Sequence, residues 1–315
     1  MKIALDAMGG DFAPQAAVDG AVLAAAQLAG KAQIVLIGQP DAVRPLLAQH
    51  GAAAEDLILV PASQIIDMGE HPAKAYQQKQ DSSIAVGYRM LASGEVEAFC
   101  SAGNTGAMLV GAMFSVKPVP GVLRPAIANF VPKLHGGMGI MLDVGANAEC
   151  KPEMLEQFGE LGSLYARYVL GIAEPKVGLM NLGEEEGKGT ANSQAAHQLL
   201  KVNPHLRFIG NIEGRDLFND KADVVVCDGF TGNVLLKMAE SVYDIMADKG
   251  IGMGDPFFAH FNYESIGGSP ILGINDNAII GHGVSTPTAI CNMLLQGYQM
   301  ASAGIADQIK ATFKS

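Results

Sequence analysis

Short apolar runs alternate with longer amphipathic stretches along almost the whole chain. Runs at residues 2–5, 32–37, 57–60, 98–100, 127–131, 140–142, 176–182, 207–209, 224–227 and 278–280 predict strands. Between them, residues 14–29, 41–50, 82–92, 106–116, 151–170, 191–200, 233–248 and 287–301 predict helices. Several strand runs are apolar without alternation, Val224-Val225-Val226 above all, as expected of strands covered on both faces. This alternation predicts an α/β fold, a three-layer α/β/α sandwich around a mostly parallel or mixed sheet. No Ser-, Pro- or charge-rich linker divides the 315 residues, so residues 1–315 read as a single domain with room for two lobes. Residues 117–125, with three prolines, read as one loop excursion. A second is expected at about 237–267, with a Gly- and aromatic-rich part at 250–270.

Composition narrows the function. Hydrophobic residues make up 49%, charged residues 17%, and there are 38 glycines, which is a globular, loop-rich mix. A net charge of −11 argues against broad nucleic-acid binding, which rests on clustered Lys and Arg meeting phosphates. Any anion must then be held by a local site. Cys100, Cys150, Cys227 and Cys291 form no CxxC pair, as suits a reduced, cytoplasmic setting. Met1-Lys2 runs directly into Ile-Ala-Leu-Asp without a signal-peptide core, and the weakly polar stretch 106–116 is too short to span a bilayer. A soluble cytoplasmic protein is expected.

Candidate chemistry sits in the loops that follow the strands. Residues 183–190 read Gly-Glu-Glu-Glu-Gly-Lys-Gly-Thr, between a strand-like run and a helix-like segment. Glycines, one cation and a helix N-terminus suit an anion. The pattern is not an ATP loop: three residues separate the first two glycines where a Walker A loop needs four, and Gly189 stands in place of the hydroxyl. The three glutamates fit only if they point away, bind a metal or orient the lysine. Similar loops follow other strands: Asp6-Ala-Met-Gly-Gly-Asp11, Ser101-Ala-Gly-Asn-Thr-Gly106, Asp143-Val-Gly-Ala-Asn147, Gly210-Asn-Ile-Glu-Gly-Arg-Asp216, Asp228-Gly-Phe-Thr-Gly-Asn233 and Gly281-His-Gly283. Any one could be an ordinary helix cap. Together, at strand ends where α/β folds bind ligands, they predict a small-ligand site.

These motifs, in this order and with Asp81-Ser-Ser83, resemble the bacterial phosphate acyltransferases from Met1 to about Ala301. The resemblance implies transfer of a fatty acyl group from acyl carrier protein to inorganic phosphate. The acyl phosphate would feed phospholipid synthesis through a downstream membrane glycerol-phosphate acyltransferase. It also implies a fold related to the isocitrate and isopropylmalate dehydrogenases, and a homodimer. Two stretches depart from the family. Relatives carry an arginine and paired lysines ahead of Asp81, where this chain reads Ala75-Tyr-Gln-Gln-Lys-Gln. Relatives also have a longer basic helical pair tied to membrane attachment, where Lys237 and Lys249 are the cations of 237–267. Phe257, Phe258, Phe261 and Tyr263 there could dip into a membrane interface, or serve as a helix cap or dimer contact.

The chemistry of that reaction sets the expected roles. Phosphate is already a nucleophile and a thiolate leaves readily, so no Ser–His–Asp triad is required and none is found. No cofactor or metal is expected. The site must supply position and charge. Lys188 would bind phosphate, or else be a surface lysine paired with a neighbouring glutamate. His282 would protonate the thiolate or polarise the carbonyl, or only hold its loop, and Asn233 completes the catalytic candidates. Arg215 would bind phosphate bidentately or pair with Glu213 or Asp216. Gly9, Gly10, Asp11, Ser101, Asn104, Thr105, Gly106, Asn147, Gly187, Gly189, Asp228, Thr231 and Gly232 are the remaining binding candidates. Asp6, Asp11, Asp143 and Asp228 suit loop anchors better than anion ligands. Lys117, Arg124, Lys133 and His135 could face an acidic carrier protein. Rival readings are a phosphotransacetylase-like enzyme using acyl-CoA and a non-catalytic carrier-binding scaffold. A nicotinamide-linked dehydrogenase is disfavoured because no G-x-G-x-x-G occurs.

Overall fold

A computed structural model describes residues 1–252, 255–259, 261 and 263–313. Met253, Gly254, His260 and Asn262 of the second excursion lie outside the described residues, as does the Tyr263 side chain. In chain order the elements are β1 (Lys2–Asp6), α1 (Gln15–Gln27), β2 (Gln33–Gly38), α2 (Pro40–His50), β3 (Ile58–Pro61), α3 (Pro72–Gln78), α4 (Ser83–Ala92), β4 (Ala98–Ser101) and α5 (Thr105–Gly111). There follow β5 (Ala126–Pro132), β6 (Met138–Leu142), α6 (Pro152–Tyr168), β7 (Lys176–Met180), α7 (Ala191–Val202), β8 (Arg207–Ile212), β9 (Val224–Val226) and α8 (Gly229–Asp248). The chain closes with α9 (Pro256–Ala259), α10 (Tyr263–Ile266), β10 (Gly268–Leu272), β11 (Asn277–Gly281), α11 (Pro287–Ser302) and α12 (Ile305–Phe313).

Two compact units result. The first holds Met1–Val119 and Tyr263–Asp307, the second Pro120–Asn262 and Gln308–Ser315. In the first unit the strands run β3-β2-β1-β4-β11-β10, parallel except for the antiparallel β10–β11 pair. Helices cover both faces, and the pleat shows why. Gly297 of α11 sits over Ile3, Ala98 and Cys100, whereas Gly87 of α4 lies against the Phe99 ring. Neighbouring residues of a strand point to opposite faces, so α11 and α4 form separate layers. Close approach is possible because both positions lack a side chain: a Cβ at Gly87 would fall 2.2 Å from Phe99 Cε2. In the second unit the order is β5-β6-β9-β7-β8, with β5–β6 antiparallel and the other pairs parallel. There α6 lies on the sheet through Gly159 and Gly162, against Val177, Val224 and Leu142. The α/β class and mostly parallel pairing expected from the alternation are present in both units.

Where element boundaries differ from expectation, capping or composition explains it. The helix expected at 233–248 starts at Gly229, because Asp228 caps it by accepting the Thr231 N–H at 2.7 Å. The helix expected at 106–116 is α5 followed by a π-turn over Ala112–Val116. β10 reads Gly-Ser-Pro-Ile-Leu, a turn-like composition that pairing with β11 overrides. No helix among the described residues is long and apolar enough to cross a membrane.

Candidate active site

In the first unit the turns after β1, β4 and β11 meet around Asp6. Its buried carboxylate accepts Ser101 Oγ at 2.7 Å and the Met8 N–H at 2.9 Å, and Ser101 Oγ accepts the Gly103 N–H at 3.0 Å. Burial pushes the Asp6 carboxyl up from the usual aspartate value, against the hydrogen bonds from Ser83 and Ser101. A Cβ at Gly9 would lie 2.5 Å from Asp6 Oδ2 and 2.6 Å from Gly103 N, so glycine there lets the two turns touch. Gly10 adopts φ 105° and Asp11 donates its N–H to the Gly283 carbonyl at 2.7 Å, which ties in the third turn. His282 is exposed between Gly281 and Gly283, and its carbonyl accepts the Ser285 N–H at 3.0 Å. Asn104 is buried and fully occupied. Its Oδ1 caps α5 through Ala107 N–H at 2.9 Å, while Nδ2 reaches the carbonyls of Asp67, Met68 and Glu70. Thr105 is exposed at the start of α5, and Gly106 packs on the Pro72 ring.

The second unit has a matching knot at Asp143. Its Oδ1 accepts N–H groups of Ile127, Gly145 and Ala146 at 3.0, 3.3 and 3.1 Å. Its Oδ2 accepts the Asn147 N–H at 2.6 Å and Nδ2 at 2.9 Å. Burial pushes this carboxyl up as well, opposed by those donors. Asn147 also donates to the Pro125 carbonyl at 2.8 Å and accepts the Gly229 N–H on its own carbonyl at 2.8 Å. A Cβ at Gly232 would meet the Asp143 carbonyl oxygen at 2.0 Å, so this glycine sets the seat of α8 on the knot. Asn233 is exposed on the first turn of α8, with its side chain beside Gly145, and Thr231 lies beneath the Asp228 cap. Asp6, Asp143 and Asp228 anchor backbone as expected, whereas Asp11 of the same group is exposed, and among the described residues its carboxylate makes no hydrogen bond or ion pair.

In residues 183–189 two of the three glutamates have partners outside the loop. Glu184 pairs with Lys221 at 2.7 Å, and Glu186 pairs with Lys201 at 2.5 Å and lies 3.8 Å from His197 Nε2. Glu186 is held below the usual glutamate value, chiefly by the Lys201 hydrogen bond. Lys188, by contrast, is exposed, and among the described residues its ammonium has no ion pair or hydrogen bond. The loop backbone is tied at each step. Asn181 Nδ2 donates to the Lys188 carbonyl, Asn211 Nδ2 to that of Glu185, and Gln194 Nε2 to those of Gly187 and Gly189. His197 is buried and holds Asn211 at 2.9 Å. Gly189, at φ 92°, leaves room for Ser193 and Asn181, and Thr190 caps α7. The alternative in which Lys188 pairs with its own glutamates is therefore not what the loop adopts.

Other expectations fare differently. Arg215 pairs with Glu213 at 2.8 Å on an exposed turn. Lys133 is withdrawn from the expected carrier-facing patch: its side chain is buried in an ion pair with Asp223. Phe257, Phe258 and Phe261 pack on one another and on Phe218. Lys79, ahead of the Asp81-Ser-Ser motif, pairs with Glu70. All four cysteines are buried free thiols, and burial pushes Cys150 up to about 12. Asn181, His197, Gln194 and Asn211 were not singled out by sequence. Asn181 lies in a run read as strand, and Asn211 in a motif prized for its glycines.

Comparison with known proteins places this arrangement. The model of the fatty acid synthesis protein family matches residues 1–249. A phosphate acyltransferase from Salinibacter ruber is 41% identical over 332 residues, covering 100% of this chain and 98% of the relative. One from Heliobacterium modesticaldum is 45% identical over 312 residues, covering 93% and 92%. Among solved structures, a phosphotransacetylase from Streptococcus pyogenes aligns with a TM-score of 0.67 at 18% identity, over 96% of this chain and 94% of that one. A 4-hydroxythreonine-4-phosphate dehydrogenase from Burkholderia phymatum aligns at 0.53 and 16% identity, over 96% and 98%. These last two are likenesses of fold. On the full-length relatives and the family match, the chain belongs to the phosphate acyltransferases of the fatty acid synthesis protein family.

Proposed function

We propose that this protein transfers a fatty acyl group from an acyl carrier protein thioester to inorganic phosphate, releasing acyl phosphate for phospholipid synthesis. One observation supports this most: among the described residues Lys188 is unpaired, in a glycine-rich loop whose neighbouring glutamates Glu184 and Glu186 are engaged by other lysines. A cation with no internal anion, on a backbone fixed by Asn181, Asn211 and Gln194, is preorganised to receive one. Phosphate held there has its charge offset by the ammonium, and an oxygen attacks the thioester carbonyl. The C–S bond then breaks, and the thiolate leaves, taking a proton from solvent.

The test is consumption of a long-chain acyl carrier protein with and without phosphate, the acyl phosphate being trapped as a hydroxamate. Phosphate-dependent hydroxamate is expected, with carrier thioester preferred over acyl-CoA. Turnover independent of phosphate would overturn the reading. Preference for acyl-CoA would favour phosphotransacetylase-like chemistry, and carrier binding without turnover a scaffold.

A further inference from the structure

At the other end of the second unit's strands, where β7 and β8 begin, lies a cleft of about 360 Å³ lined by Ser163, Arg167, Glu174, Pro175, His205 and Arg207. A neighbouring cleft of about 300 Å³ shares Ser163, Arg167 and His205. Both are far along the strands from residues 183–189, which follow the carboxyl end of β7. Two features make the first cleft unusual. Ser163 is 7% exposed, yet its Oγ has no hydrogen-bond partner. A buried hydroxyl without a partner costs free energy, and such groups are rare. Arg167 likewise has no ion pair or hydrogen bond among the described residues. Arg207 donates to the Glu174 carbonyl at 3.5 Å but reaches that residue's carboxylate only at 3.9 Å, and the carboxylate is mostly exposed. In a chain of net charge −11, two guanidinium groups sharing a concavity with so little neutralisation call for an anion.

We propose that this cleft binds a small organic phosphate monoester. Arg167 and Arg207 would offer forked donors to the phosphate oxygens, and the Ser163 hydroxyl would donate its unused hydrogen bond. The volume exceeds what a bare phosphate fills and lies within the range of small-molecule sites. Pro175, Pro204 and Leu206 give the organic part an apolar wall. The site is independent of the acyl transfer proposed above.

Calorimetric titration with phenyl phosphate tests this, with inorganic phosphate as comparison, on the full chain and on Arg167→Gln, Arg207→Gln, Ser163→Ala and Lys188→Ala. Binding to the full chain is expected to weaken about tenfold or more in each arginine variant, the size of a lost charged hydrogen bond. Ser163→Ala should weaken it severalfold while leaving Tm unchanged or raised, because the lost hydroxyl has no structural partner; a merely structural serine would lower Tm. Lys188→Ala should leave the binding intact. No binding to the full chain, affinity in both arginine variants equal to the wild type, loss in Lys188→Ala, or inorganic phosphate binding Lys188→Ala as tightly as phenyl phosphate does would each overturn the proposal.

Discussion

The charged residues of the strand-end turns divide into those that hold backbone and those, such as Lys188, whose charge is unpaired among the described residues. Asp216 belongs to the first group. Burial raises its carboxyl, but the Lys221 ammonium, the Glu213 N–H and the Asn219 amide outweigh that and bring it down to about 2. A carboxyl whose folded value lies below its unfolded value stabilises the protein above the unfolded pKa and loses that contribution as pH falls through the folded one. The window here runs from about pH 4 down to pH 2. The stability gap between wild type and Asp216→Asn should therefore be of order 1–2 kcal/mol near pH 6 and shrink across that window. A gap that stays constant from pH 6 to pH 2 by chemical denaturation would contradict this role. Residue identities were legible where local geometry decides them. Thr190 sits just ahead of the helix expected at 191–200 and caps it, whereas Asp228 caps a helix that starts four residues before the expected 233. Asn104 carries the same signal for α5, but its Nδ2 also reaches residues more than thirty positions earlier, which no local pattern encodes.

At the scale of elements, the strands were the most legible part. Continuous apolar runs such as 224–227 mark strands that helices cover on both faces, and β9 is buried throughout. The loop at 183–189 was legible as a glycine-rich turn between a strand and a helix, but the partners of its glutamates were not. Their partners, Lys201 and Lys221, stand 15 and 37 residues downstream and meet the loop only through the fold. These ion pairs are largely exposed and screened by solvent, so they add little to stability. Their consequence is local: they occupy carboxylates that would otherwise compete for Lys188. Lys201→Gln and Lys221→Gln are each expected to raise KM for phosphate severalfold while shifting Tm by only a few degrees. A KM that stays at the wild-type value in the double variant would show that the glutamates are indifferent to phosphate.

For the whole molecule, two units each place glycine-rich turns at the carboxyl ends of mostly parallel strands, and each builds its turns around one buried aspartate, Asp6 or Asp143. An acidic chain that handles an anion does so with very few cations. Removing one of them should have a disproportionate effect. The most direct measurement is the rate at which labelled inorganic phosphate enters acyl phosphate, followed against phosphate concentration for wild type and Lys188→Ala. Removing this charge should lower kcat/KM for phosphate by about 10²–10³, the range for loss of one preorganised electrostatic contact, with Tm unchanged. Label entering at the wild-type rate in Lys188→Ala, or failing to enter acyl product in the wild type, would contradict the account.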